Sequence, residues 1–210
     1  MFEQMKGAIF DLDGVLVDTA KYHFLAWREL ANQLGFEFTE QDNERLKGVS
    51  RMESLRILLE IGGLHLSEHE LLQLAAKKNE KYVEYISKLN DSELLPGAKA
   101  YLIDLREQGI QVALGSASKN AKFILDQLNI AYLFDVVIDG NQVTKAKPDP
   151  EVFLLAGQNL GLEPKDIVVF EDATAGVEAA LAAGMRVVGI GQKDVLQRAD
   201  LVVAGLYELL

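Results

Sequence analysis

Five short apolar runs constrain this chain more than any other feature. They lie at residues 7–10, 112–114, 136–138, 167–170 and 187–190. Each is continuous rather than alternating, as expected of strands buried on both faces of a parallel sheet. Helical patterns at 119–128, 150–160 and 173–183 separate the last four runs, and another at 98–108 precedes the second. Strand alternating with helix gives βαβ units, so the expected fold is α/β with a doubly wound, Rossmann-like parallel sheet.

The interval after the first run breaks the rhythm. About a hundred residues separate Phe10 from Val112, far more than one crossover needs. Most of that interval reads as helix. Between Ala20 and Gln33 an amphipathic pattern sets Phe24, Trp27, Leu30, Ala31 and Leu34 on one stripe. Ser50-Arg51-Met52-Glu53 and Ser67-Glu68-His69-Glu70 both fit the capping box, in which Ser accepts from the N3 amide and Glu reaches back to the Ser amide. The expectation is an inserted all-helical domain over 17–89, joined through 15–19 and 89–96, with 1–16 and 90–210 forming the α/β core.

Composition excludes several function classes. The 210 residues carry 21 Lys plus Arg against 32 Asp plus Glu, a net charge of −11. Nucleic acid and anionic membranes need a basic face, so neither is an expected partner. Without cysteine there is no disulfide framework, thiolate nucleophile or thiolate metal site, which fits a reducing cytoplasm. The opening Met1-Phe2-Glu3-Gln4-Met5-Lys6 lacks the basic-then-apolar pattern of a signal peptide. A cytoplasmic monomer is the default expectation.

In open α/β sheets ligands bind beyond the carboxyl ends of the strands, so the residues after each run carry the functional information. The first run is followed by Asp11-Leu12-Asp13-Gly14, the second by Ser116-Ala117-Ser118-Lys119-Asn120, the third, past a turn, by Lys147-Pro148, and the fourth by Glu171-Asp172. Asp11, Asp13, Glu171 and Asp172 cannot share a small volume ionised unless a cation offsets their repulsion. An all-oxygen ligand set suits Mg²⁺. A carboxylate there can attack phosphorus to form an aspartyl-phosphate, and Asp13, two residues on, could move a proton. Ser116 and the amides near Ala117 can donate to phosphate oxygens. Ser118-Lys119-Asn120 is expected to open a helix whose N-terminus attracts anions. Lys147 supplies a point charge for a transferring phosphoryl group, and its bond to Pro148 is a candidate cis peptide.

Asp11-Leu12-Asp13-Gly14-Val15 with Ser116, Lys147-Pro148 and Glu171-Asp172 resembles the haloacid dehalogenase-like phosphotransferases, with the motifs in that family's order along the whole chain. The resemblance implies that the helical insertion is a cap. It also implies Asp11 as nucleophile, Asp13 as general acid/base, Ser116 and Lys147 as phosphoryl-binding groups, and Mg²⁺ on Asp11, Glu171, Asp172 and the Asp13 carbonyl.

The cap must choose the substrate. Thr19–Trp27, Lys47-Gly48-Val49-Ser50-Arg51 and Lys77-Lys78-Asn79, with 116–120, are similar to the family's hexose-phosphate mutases. That implies interconversion of β-glucose 1-phosphate and glucose 6-phosphate, with β-glucose 1,6-bisphosphate as activator and intermediate. Such an enzyme holds a sugar with a phosphate at each end. Arg51 could grip the distal phosphate bidentately, and Ser118, Lys119 and Asn120 could complete its site. The resemblance extends substrate contact to Trp27, Gly48, Val49, Ser54, Lys78 and Ala117, and gives His23 a role coupling cap closure to Asp13. Trp27 also lies on the apolar stripe, where core packing is the ordinary outcome. The rival reading is a sugar-phosphate phosphatase of the same fold, which needs no second phosphate site. A non-catalytic sugar-phosphate-binding protein would need neither Asp11 nor Asp13.

Overall fold

A computed structural model describes residues 5–46 and 50–210. Among them, six strands form one parallel sheet: β1 (Gly7–Phe10), β2 (Gln111–Gly115), β3 (Val136–Ile138), β4 (Ile167–Glu171), β5 (Arg186–Ile190) and β6 (Leu201–Val203). Their order is β3-β2-β1-β4-β5-β6. The winding reverses at β1, which is where an open α/β sheet leaves a crevice past its strand ends. Phe10 pairs with Leu114 on one side and Phe170 on the other, so the chain leaves β1 and β4 at the same level. The Asp11 N–H extends the ladder to the Phe170 carbonyl at 2.9 Å.

The insertion after β1 holds α1 (Ala20–Gln33), the single turn α2 (Glu40–Asn43), α3 (Arg51–Ile61) and α4 (Glu68–Ile86). The helices that follow are α5 (Ala98–Glu107), α6 (Ala121–Gln127), α7 (Glu151–Leu160) and α8 (Thr174–Ala182). The chain divides into two compact units, Met1–Asp18 with Leu89–Leu210, and Thr19–Lys88. In the sheet unit, Ile9, Ala113 and Val169 pack with Phe153 and Ala156 of α7 and Val177 and Ala180 of α8. In the helical unit, Trp27, Leu30, Phe38, Leu55, Leu58 and Leu71 form a separate core. Within the sheet unit the two connecting segments run side by side: Val17 bridges Leu94, and the Leu95 N–H donates to the Leu16 carbonyl at 2.9 Å.

Local details depart from the sequence expectations in three places: at α3, at α6 and at β6. At α4 the Ser67–Glu70 capping box is complete. At α3 only half of it forms: Ser50 accepts from the Glu53 N–H, while the Glu53 carboxylate turns to Arg56 at 3.4 Å. The helix expected from Lys119 begins at Ala121, because Ser118–Asn120 is taken up in turns. The Ser118 N–H donates to Ser116 Oγ and the Asn120 N–H to Ser118 Oγ. At seven residues α6 is too short to carry the anion-binding dipole expected of it. The sixth strand was not anticipated, being three half-buried edge residues with no long apolar run. No helix among the described residues is long and apolar enough to cross a membrane.

Candidate active site

Three strand ends and one loop bring the chemistry together. β1 releases Asp11 at its carboxyl end, and β4 ends on Glu171 with Asp172 next. The segment between β3 and α7 returns Lys147, through a cis bond to Pro148. The Lys147 ammonium donates to Asp11 Oδ1 at 2.6 Å and to Glu171 Oε1 at 2.6 Å, and lies 4.8 Å from the centre of the Phe153 ring. The second Glu171 oxygen accepts from the Ala173 N–H at 2.7 Å. The first turn of α8 crowds this carboxylate: a Cβ at Gly176 would run into Glu171 Oε1.

Burial sets the electrostatics. It works against the Lys147 charge, but the Asp11 and Glu171 carboxylates outweigh it and hold the ammonium protonated well above its usual range. Asp11 is displaced upward, first by burial and then by Glu171 and Asp172, with Lys147 pulling the other way. Asp172 is pushed up to about 7 by burial and by Glu171, with Asp13 adding to the effect. One lysine is therefore too little positive charge for this group of acids. Asp11, Glu171 and Asp172 each offer a carboxylate oxygen that lies within 4.8 Å of the others, and such a hard-oxygen set fits a divalent cation like Mg²⁺. The Asp13 carboxylate is not among the three. Asp13 sits in the turn after β1, bridged to Val17.

Ser116 is buried at the end of β2, its N–H donating to the Ile138 carbonyl at 3.0 Å. Ala117 and Lys119 are exposed, while Ser118 and Asn120 are half-buried. Residues 139–142, at the carboxyl end of β3, are Asp-Gly-Asn-Gln and belong to no expected site motif. Their Asp-Gly-Asn turn sits at a strand end, which is the one signal that could have drawn attention to them.

In the helical unit, His23, Trp27, Lys78 and Tyr82 form one cluster. Lys78 is buried (2 % exposed), and its ammonium lies 2.8 Å from His23 Nδ1 and 4.4 Å from the centre of the Trp27 ring. The His23 ring stacks on Tyr82 at 3.9 Å, and the Tyr82 hydroxyl donates to Thr19 Oγ1 at 3.1 Å. Burial, then Lys78 and Arg51, hold His23 well below the usual histidine range. Because an ammonium can only donate, Nδ1 accepts and the ring proton sits on Nε2. Trp27 is 3 % exposed and takes the packing role open to it on its stripe. Ser54 is buried on α3, and Arg51 is half-buried at that helix's first position. Gly48 and Val49 lie outside the described residues.

A sheet of this winding, with acids at two strand ends and a lysine joining them, defines a class of phosphoryl-transfer fold. The haloacid dehalogenase-like hydrolase family model matches residues 5–184, and the chain belongs to that family. Over 201 residues it is 45 % identical to a β-phosphoglucomutase of Bacillus subtilis (strain 168), a match spanning 95 % of this chain and 89 % of that one. A phosphorylated carbohydrates phosphatase of Thermotoga maritima is 34 % identical, over 89 % of this chain and 85 % of its own. Among solved structures, a β-phosphoglucomutase from Clostridium difficile superposes with a TM-score of 0.92 at 41 % identity, covering 98 % of this chain and 93 % of that one.

Proposed function

We propose that this chain interconverts β-D-glucose 1-phosphate and D-glucose 6-phosphate with Mg²⁺, through an aspartyl-phosphate on Asp11 and β-glucose 1,6-bisphosphate as activator and intermediate. The observation that carries the reading is the 45 % identity, over nearly the whole chain, to a relative named β-phosphoglucomutase. The charge arrangement around Asp11 is consistent with it. An Asp11 carboxylate oxygen attacks phosphorus, the bond from phosphorus to the sugar oxygen breaks, and Asp13 gives that oxygen its proton. In the return step Asp13 takes the proton from the other sugar hydroxyl, which attacks the aspartyl-phosphate. Lys147 holds Asp11 in place from one side and offers its charge to the phosphoryl group. Mg²⁺ on Asp11, Glu171, Asp172 and the Asp13 carbonyl would offset the negative charge of the acids and phosphate. Ser116 donates to the reacting phosphoryl group.

The second phosphate needs its own site. In this reading Arg51 of the helical unit grips it, and Ser118, Lys119 and Asn120 hold it from the sheet unit. Lys78, Gly48, Val49, Ser54, Trp27 and Ala117 shape the sugar's surroundings. His23 links the cap to Asp13, so that sugar rather than water meets the aspartyl-phosphate. Residues 17–89 act as the cap on the core of 1–16 and 90–210. The enzyme is taken as a cytoplasmic monomer.

The deciding assay supplies β-glucose 1-phosphate, Mg²⁺ and a trace of β-glucose 1,6-bisphosphate. Glucose 6-phosphate as the main product supports the mutase. Inorganic phosphate as the main product would make the chain a sugar-phosphate phosphatase instead. Asp11→Asn should abolish both turnover and incorporation of phosphate into the protein; retained turnover would remove Asp11 as nucleophile.

A further inference from the structure

The loop after β3 clasps the loop after β2. The Gly140 N–H donates to the Ser118 carbonyl at 3.2 Å, and the Asn141 side-chain amide donates to the Lys119 carbonyl at 3.0 Å. The clasp is itself braced. Asp139, buried, accepts from the Asn141 N–H at 2.8 Å, and Gln142 Oε1 accepts from the Asp139 N–H at 2.9 Å. The fit leaves no spare room, since a Cβ at Gly140 would run into the Ala117 carbonyl oxygen.

A peptide is planar and trans, so a carbonyl aimed one way sends the following N–H the opposite way. With the Ser118 and Lys119 carbonyls both turned to the β3 loop, the amides of Lys119 and Asn120 point away from it, and the Asn120 N–H donates to Ser118 Oγ at 3.3 Å. The clasp therefore sets the direction of the Lys119 N–H, and it limits where the exposed Lys119 side chain starts.

We propose that Asn141 is a positioning residue for the second phosphate of a doubly phosphorylated sugar, acting through the Lys119 carbonyl, with Gly140 kept free of a side chain to let the two loops close. This rests on the reading of Lys119 and Asn120 as that phosphate's site. Neither Gly140 nor Asn141 touches substrate in this account.

The test measures the concentration of β-glucose 1,6-bisphosphate giving half-maximal mutase rate, in wild type, Asn141→Asp, Gly140→Ala and Lys119→Ala. Losing one hydrogen bond at an exposed site should raise that concentration about threefold in Asn141→Asp, and forcing the loops apart should raise it more in Gly140→Ala. The rate at saturating bisphosphate stays near wild type in Asn141→Asp and Gly140→Ala. So does phosphorylation of Asp11 by acetyl phosphate, which has no distal phosphate. An unchanged bisphosphate requirement in both loop variants while Lys119→Ala raises it would overturn the role of Asn141 alone. No effect of Lys119→Ala would mean that 117–120 is not the second-phosphate site, and the proposal would fall with that reading. If acetyl phosphate turnover drops in step with bisphosphate affinity, the loop is a general structural support and the proposal is wrong.

Discussion

Lys147 joins two buried carboxylates that would otherwise repel. Its side chain is 10 % exposed, so water screens the pair poorly. Lys147→Met leaves Asp11 and Glu171 without their partner, and breaking such a buried arrangement costs about 3 kcal/mol or more. The metal-free variant should melt several degrees below wild type and lose turnover; an unchanged melting temperature by calorimetry would contradict the ion-pair account. His23 makes a prediction of different kind. Its folded pKa lies below the free value near 6.5, so below that pH the unfolded chain binds more protons. The stabilisation is thus present above about pH 6.5 and lost on acidification. Nitrogen NMR of the imidazole should show a neutral ring protonated at Nε2 with no titration between pH 6 and 8. A midpoint near 6.5 would mean that the Lys78 contact does not persist in solution.

At the scale of elements, α8 sets its first turn against the end of β4 and leaves Glu171 room only because residue 176 is glycine. Gly176→Ala should displace that carboxylate and lower activity by an order of magnitude or more, while the buried Val177 and Ala180 keep the helix packed. An assay at saturating Mg²⁺ alongside a melting curve separates the effects; full activity would show that Glu171 need not stay where it is. The sheet was legible because its strands are buried on both faces, and double burial writes continuous apolar runs such as residues 167–170 into the chain. The strand-end rule then exposed Asp11, Lys147, Glu171 and Asp172. What stayed hidden lacks a periodic signal: β6 is an edge strand half open to water, and α6 loses its first turn to the hydroxyls of Ser116 and Ser118. Gly140 and Asn141 act through backbone carbonyls, which any residue supplies, so no residue type in 117–120 announces them.

For the whole molecule the balance of charge makes metal and acidity inseparable. Asp172, pushed up to about 7, is more protonated in the folded metal-free protein than in the unfolded chain. The resulting stabilisation is present at low pH and lost as pH rises through 7, which is where a divalent cation gains its vacant carboxylate. Mg²⁺ should therefore raise the melting temperature more at pH 8 than at pH 6, and chelation should reverse the gain. Equal shifts at both values would show that Asp172 does not govern binding. The strand order has one more consequence, for the newborn chain. β1 leaves the ribosome first yet lies between β2 and β4, so its second neighbour is not made until residue 167. At roughly 5–20 residues per second, β1 waits for about 8–30 seconds with one or both edges unpaired. For about half of that delay the helical insertion, Thr19–Lys88, is already complete in sequence, so synthesis itself gives the inserted unit a head start over the sheet that surrounds it in the sequence.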